Sequence, residues 1–217
     1  MKRNIYLSIL LVFVLLVFSV KLKAQYVSIY DEKGNAKSIQ AIRVEESLNN
    51  LKKYSIHAAT NISSSAPRPL TIAQKTGSYL IDGFAKFKIN DFAAAIEYYN
   101  KAIDLNPDFK EAYFFRAMAR KITRNYTGAI EDYNKALEFS PRDEIYYCGR
   151  GEAKMEMQNN AGAMKDFNTA IEINKKYEEA YYNRGIAKKN LNDHSGALED
   201  LNKAIELSPK FALAYMH

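Results

Sequence analysis

The chain has 217 residues, 47% hydrophobic and 26% charged, with few Gly and Pro; this excludes a low-complexity or disordered polymer and allows one or two modest domains. Its formal charge of +6 points to an acidic partner only until the first 24 residues are set aside. They carry Lys2, Arg3, Lys21 and Lys23 and no acid, so a body of +2 remains, and with no Lys/Arg run in it nucleic acid is not an expected partner.

The first element, MKRNIYLSILLVFVLLVFSVKLKAQ, has the layout of an export signal. A basic start is followed by an apolar stretch from Ile5 to Val20, and Ala24 offers a small residue for cleavage before Gln25. Leu22 and the nearby lysines are less usual beside a cleavage site. An uncleaved membrane anchor is the rival, because a spanning helix needs roughly 17–25 apolar residues and this run is just short of that. Either way the body is expected outside the cytoplasm, in the periplasm or envelope of a bacterial-type cell. A membrane enters only if the segment stays uncleaved.

Residues 25–75 have a different texture. QYVSIYDEKGNAKSIQAI alternates apolar and polar residues around a turn near Gly34, the pattern of a short hairpin. VEESLNNLKKYSI suits a short helix, and HAATNISSSAPRPL is a polar, Pro-containing linker.

From Thr76 a 34-residue period takes over, with units expected at 76–109, 110–143, 144–177 and 178–211 and a fragment at 212–217. Position four is Tyr79, Tyr113, Tyr147 and Tyr181, with Tyr215 in the fragment. Position eight is small: Gly83, Ala117, Gly151 and Gly185. Position twenty is Ala95, Ala129, Ala163 and Ala197, and position twenty-seven is Ala102, Ala136, Ala170 and Ala204. Position twenty-four is large: Tyr99, Tyr133, Phe167 and Leu201. Segments such as AAAIEYYNKAIDL space their apolar residues along one helical face. Small residues at three places let two antiparallel helices approach closely, and the rings fill the remaining space. Pro107, Pro141 and Pro209 stop the second helix, while Lys175 takes that place in the third unit, so a less sharply defined turn is expected there.

Position seven is Arg116, Arg150 and Arg184 wherever position twenty-three is Asp132, Asp166 and Asp200; in the first unit the two become Asp82 and Tyr98. A charged ladder for a ligand is one reading. Because Arg and Asp change together, ion pairs between the two helices of a unit are the expectation.

The small–Tyr–Ala–aromatic–Ala–Pro pattern resembles the tetratricopeptide repeat (TPR) family, and the resemblance covers residues 76–211. It implies an all-α, right-handed α-solenoid of antiparallel helix pairs, four units plus a fragment, behind a short irregular N-terminal segment. It departs from the family at position seven, where Leu is frequent, and at position eleven, where Lys86, Arg120, Lys154 and Lys188 replace Tyr.

The resemblance also implies a concave groove lined by the first helix of each unit. Carried onto this chain, its N-terminal half is apolar: Leu80, Ile81, Phe84 and Phe87, then Phe114, Phe115, Met118 and Ile122. Its C-terminal half is polar: Cys148, Glu152, Met155 and Glu156, then Tyr182, Asn183, Lys189 and Asn190. An exposed apolar patch marks a protein contact or demands a cover, so either a hydrophobic peptide or partner helix docks there, or residues 25–60 fold back over it. Chaperone-binding members grip a C-terminal carboxylate with Lys and Asn at positions five and nine and Asn at six of the next unit. Leu80, Phe84 and Phe115 in one register, and Phe114, Met118 and Gly149 in the other, cannot.

Catalysis finds no support. Cys148 is the only cysteine, so no internal disulfide forms, and a buried, unreactive thiol is expected. His194 falls at a turn position with no second His or Cys at metal-ligand spacing, and no phosphate loop or nucleophile elbow occurs, so neither cofactor nor metal is expected. The expectation is a non-enzymatic exported scaffold for a protein or peptide, with a membrane-anchored accessory subunit of an envelope assembly as the alternative. FALAYMH at the end gives the last apolar face little cover, which a neighbouring molecule or the rest of a longer array would supply.

Overall fold

A computed structural model of the chain describes residues 70–208. The export segment, the expected hairpin and linker, and the fragment 212–217 lie outside the described residues. Among those residues there are eight helices, in four consecutive pairs: α1 (Ile72–Lys88) with α2 (Phe92–Leu105), α3 (Lys110–Ile122) with α4 (Tyr126–Phe139), α5 (Glu144–Glu156) with α6 (Asn160–Ile173), and α7 (Glu178–Asn190) with α8 (His194–Leu207). None of them is long and apolar enough to cross a membrane. Each helix packs on the next, and the first helices of successive pairs touch as well, the arrangement of an all-α solenoid. The first helix begins at Ile72, ahead of the repeat frame, because Thr71 and Gln74 form a reciprocal capping box there.

The turn inside each pair is built the same way four times. Asn90, Arg124, Gln158 and Asn192 take φ between 61° and 65°, the left-handed region that closes a helix. The next residue sends its N–H back five residues, as in Asn125 to the Arg120 carbonyl at 2.8 Å and Asn159 to that of Lys154 at 2.9 Å. That same residue, Asp91, Asn125, Asn159 or Asp193, then caps the second helix through its side-chain oxygen. Two of the left-handed residues are Arg and Gln, so the repeated backbone geometry overrides the usual Gly or Asn preference.

The turns between pairs correct one expectation. The third unit, with Lys175 in place of proline, turns as sharply as the first. Lys176 donates its N–H to the Asn174 side chain at 3.0 Å, just as Asp108 does to Asn106 at 3.2 Å. In the third unit an Asx turn at Asn174 supplies the stop without a proline.

The core explains the small residues. All four position-twenty-seven alanines are buried, as are Tyr99, Tyr133 and Phe167. A Cβ on Gly83 would lie 2.5 Å from the Tyr99 ring, and one on Gly151 would lie 2.6 Å from Phe167. The glycines thus make room for the rings of their own pairs. In the fourth unit Leu201 replaces the ring and the approach to Gly185 relaxes to 3.1 Å.

Candidate binding face on the first helices

Each Arg–Asp pair forms, and each is a larger node than the two residues foreseen. Arg116 donates to Asp132 from Nε at 3.0 Å and from Nη2 at 2.6 Å, a bidentate fork. Its Nη1 reaches back to Asn100 of the preceding unit at 2.6 Å. Arg150 treats Asp166 and Asn134 the same way, and Arg184 treats Asp200 and Asn168. The position-eleven cations complete the node: Arg120, Lys154 and Lys188 lie 3.0, 2.7 and 2.9 Å from the three carboxylates. The position-four tyrosines stack under the guanidinium groups, with Arg116 5.4 Å from the Tyr113 ring centre. Both departures from the family pattern are therefore structural staples within and between units. In the first unit, where position seven is Asp82, Tyr79 instead meets Tyr98.

Most of the apolar residues expected along the groove are buried. Leu80, Phe84, Phe87, Phe114, Phe115 and Met118 are all at most 5% exposed. Phe115 packs against Phe84 at 5.6 Å and Tyr99 at 6.0 Å, and Phe114 packs against Phe115 at 5.2 Å and Tyr146 at 5.1 Å. This chain of rings joins the first three units, so these residues do not form an open apolar patch. Rings at positions five, six and nine are long enough to reach the neighbouring first helix. Ile81 and Tyr182 are half-buried, and Ile122 is exposed. Of the more C-terminal residues, Met155 is half-buried, and Glu156, Lys189 and Asn190 are exposed.

Cys148, Glu152 and Asn183 come together in a polar cluster that draws on three first helices, with Cys148 and Asn183 buried and Glu152 half-buried. Lys121 on α3 hydrogen-bonds Glu152 on α5. Asn183 on α7 donates to Glu152 at 3.0 Å and to the Cys148 sulfur at 3.5 Å. Tyr177, just before α7, donates its hydroxyl to Glu179 at 2.8 Å, and both are buried. Tyr177 and Glu179 are not foreseen from the sequence. The signal is faint: Glu179 stands at position two, where the other units have Gly77, Glu111 and Ile145.

Burial pushes the Cys148 thiol well up, and the charges of Glu152 and Glu179 push it further. Since the thiolate is the reactive form, native Cys148 is expected to resist alkylation by iodoacetamide at pH 8 and to react fully once urea unfolds the chain. Mass spectrometry of the two samples checks this, and fast labelling of the native protein contradicts it.

Models of tetratricopeptide repeats match residues 85–144, 151–192 and 178–211, together more than half of the chain. Among solved structures, a MamA protein is 24% identical, with a TM-score of 0.59 over 66% of this chain and 82% of its own. A thermophilic TPR protein of Thermus thermophilus is 19% identical, with a TM-score of 0.57 over 65% of this chain and 81% of its own. The first TPR domain of Spaghetti (RPAP3), bound to the HSP90 peptide SRMEEVD, is 25% identical, with a TM-score of 0.53 over 55% of this chain and 94% of its own. No curated protein sequence matches. Repeat models over both halves of the array, a staple repeated at every joint and these structural likenesses agree: the chain belongs to the tetratricopeptide repeat family.

Proposed function

We propose that this chain is an exported, non-enzymatic scaffold that holds a protein or peptide along the face formed by its first helices. The observation that carries this reading is the TPR array itself, a fold in which the RPAP3 domain holds a peptide. Export rests on the basic start and the Ile5–Val20 apolar run. The partner differs from the acidic SRMEEVD peptide in chemistry, because Leu80, Phe84 and Phe115 are apolar and buried where a carboxylate clamp would need Lys and Asn. A partner can reach Ile81, Ile122 and Tyr182 on this face, together with the exposed Glu156, Lys189 and Asn190.

A photo-crosslinking amino acid placed at Ile122 or Tyr182 of the full chain in its native cells tests the reading, with Lys135 on α4 as the control position. The expected result is a discrete adduct from the first two sites and none from the third. Adducts from Lys135 alone, or equally from all three, overturn the assignment of the face. The near-spanning length of the apolar run supports a second reading, a membrane-anchored accessory subunit of a larger envelope assembly. Sequencing the mature N-terminus separates the two: a soluble protein starting at Gln25 supports the exported scaffold, and a membrane-bound protein retaining residues 1–24 supports the anchored subunit.

A further inference from the structure

The polar cluster between the third and fourth units has a feature that packing alone does not require. Glu179 is 8% exposed and sits in the first turn of α7, the helix whose Asn183 bonds Glu152 and Cys148 of α5. The titratable and polar groups around it are Lys121 from α3, Cys148 and Glu152 from α5, and Tyr177, Glu178 and Asn183 from its own segment. Among these, Lys121 is the sole cation, and its ammonium bonds directly to Glu152. Glu179 is bonded to a neutral hydroxyl instead. Lys121 and Glu152 keep about a fifth of their side-chain surface in water, 21% and 20%, whereas Glu179 is buried with a neutral hydroxyl as its hydrogen-bond partner, and a bare carboxylate there is costly.

We propose that Glu179 is a proton-operated latch between the third and fourth units: as a carboxylic acid it seals the α5–α7 contact, and as a carboxylate it must be rehydrated, which loosens the fourth unit. The geometry is supported by the direction of its titration. Burial first, and then Glu152, push the Glu179 carboxyl up from 4.5 to about 8, against the pull of the Tyr177 hydrogen bond and of Lys121. The sign follows from proton counting. Below about 4.5 both folded and unfolded chains hold the proton, and this group gives no pH dependence. Between 4.5 and about 8 the folded chain holds a proton that the unfolded chain has released, so stability falls as pH rises. Above that the fall ends. The latch is tight on the acid side and slack on the alkaline side, and no partner is needed to see it.

Hydrogen exchange of the full-length chain at pH 6 and pH 9, corrected for intrinsic rates, tests this. Amides of α7 and α8 are expected to exchange more than about tenfold faster at pH 9, while those of α1 and α2 keep their protection. Glu179→Gln, which cannot ionise, is expected to abolish the difference and to leave α7 better protected than wild type at pH 9. Independently of whether that variant folds, infrared spectra of the wild type are expected to show a buried carboxylic-acid carbonyl band at pH 6 that disappears on titration to pH 9. Equal α7 protection at both pH values, an unchanged pH profile in Glu179→Gln, or the absence of a titrating carbonyl band overturns the latch.

Discussion

Replacing Asp132 with alanine is expected to cost about 3–5 kcal/mol in a urea titration, whereas replacing Asp132 with Leu together with Arg116 with Met is expected to be close to neutral. The asymmetry comes from what each change leaves behind. Asp132 is 2% exposed and receives Arg116 twice and Arg120 once. Removing the carboxylate alone leaves two mostly buried guanidinium groups without their anion, held only by Asn100 and the Gly128 carbonyl. Removing the bidentate pair returns the space to apolar atoms and leaves Arg120 its bond to the Gly128 carbonyl. Burial raises the Asp132 carboxyl above its usual range even though both arginines lower it. With the folded value above the unfolded one, this group's ionisation subtracts from stability as pH rises past the carboxylate range. The node therefore sets geometry more than it adds stability: it fixes the angle within a pair and, through Asn100, the joint to the previous one. A single-mutant cost below about 1 kcal/mol, or a double mutant as damaged as the single, contradicts this.

That node also shows where sequence reasoning reaches and where it stops. The covariation of Arg116, Arg150 and Arg184 with Asp132, Asp166 and Asp200 is visible at fixed spacing, because both partners belong to one unit and repeat together. The third partner was hidden: Asn100, Asn134 and Asn168 serve the next unit, and an asparagine on a helix that also carries charges gives no hint of its direction. The helix pairs were legible because their small and large residues are forced by close approach, as Gly83 against Tyr99 shows. The candidate face was not. Position within a first helix says which way a side chain leaves the backbone, but not how far it reaches, and a phenylalanine at position six reaches its neighbour's core while an isoleucine at that position stays half-buried. The Glu179 site was least legible, since it is assembled from α3, α5 and α7 and no one repeat contains its pattern.

The same reach makes Phe114 the residue whose loss does most damage on the candidate face. Phe114→Ala is expected to lower stability by about 3–5 kcal/mol, because the ring is 4% exposed and meets Phe115 in its own helix, Tyr133 in its own unit and Tyr146 in the next. In a repeat array, stability is the sum of unit terms and joint terms, so this deletion weakens the second unit and its joint to the third at once. Phe114→Leu, which keeps most of the apolar volume, is expected to cost about 1 kcal/mol. Tyr182→Ser and Ile122→Ser, on half-buried and exposed side chains, are expected to cost at most about 1 kcal/mol. Urea titrations of the four variants check the order. The order decides how a binding experiment is read. Loss of a partner in Phe114→Ala accompanied by unfolding reports on the joint between units, whereas loss in Tyr182→Ser with an unchanged urea midpoint reports on the face itself. If Phe114→Ala left the midpoint unchanged and still abolished partner capture, the ring would be part of the binding surface after all, and the assignment of Phe84, Phe114 and Phe115 to the core would fall with it.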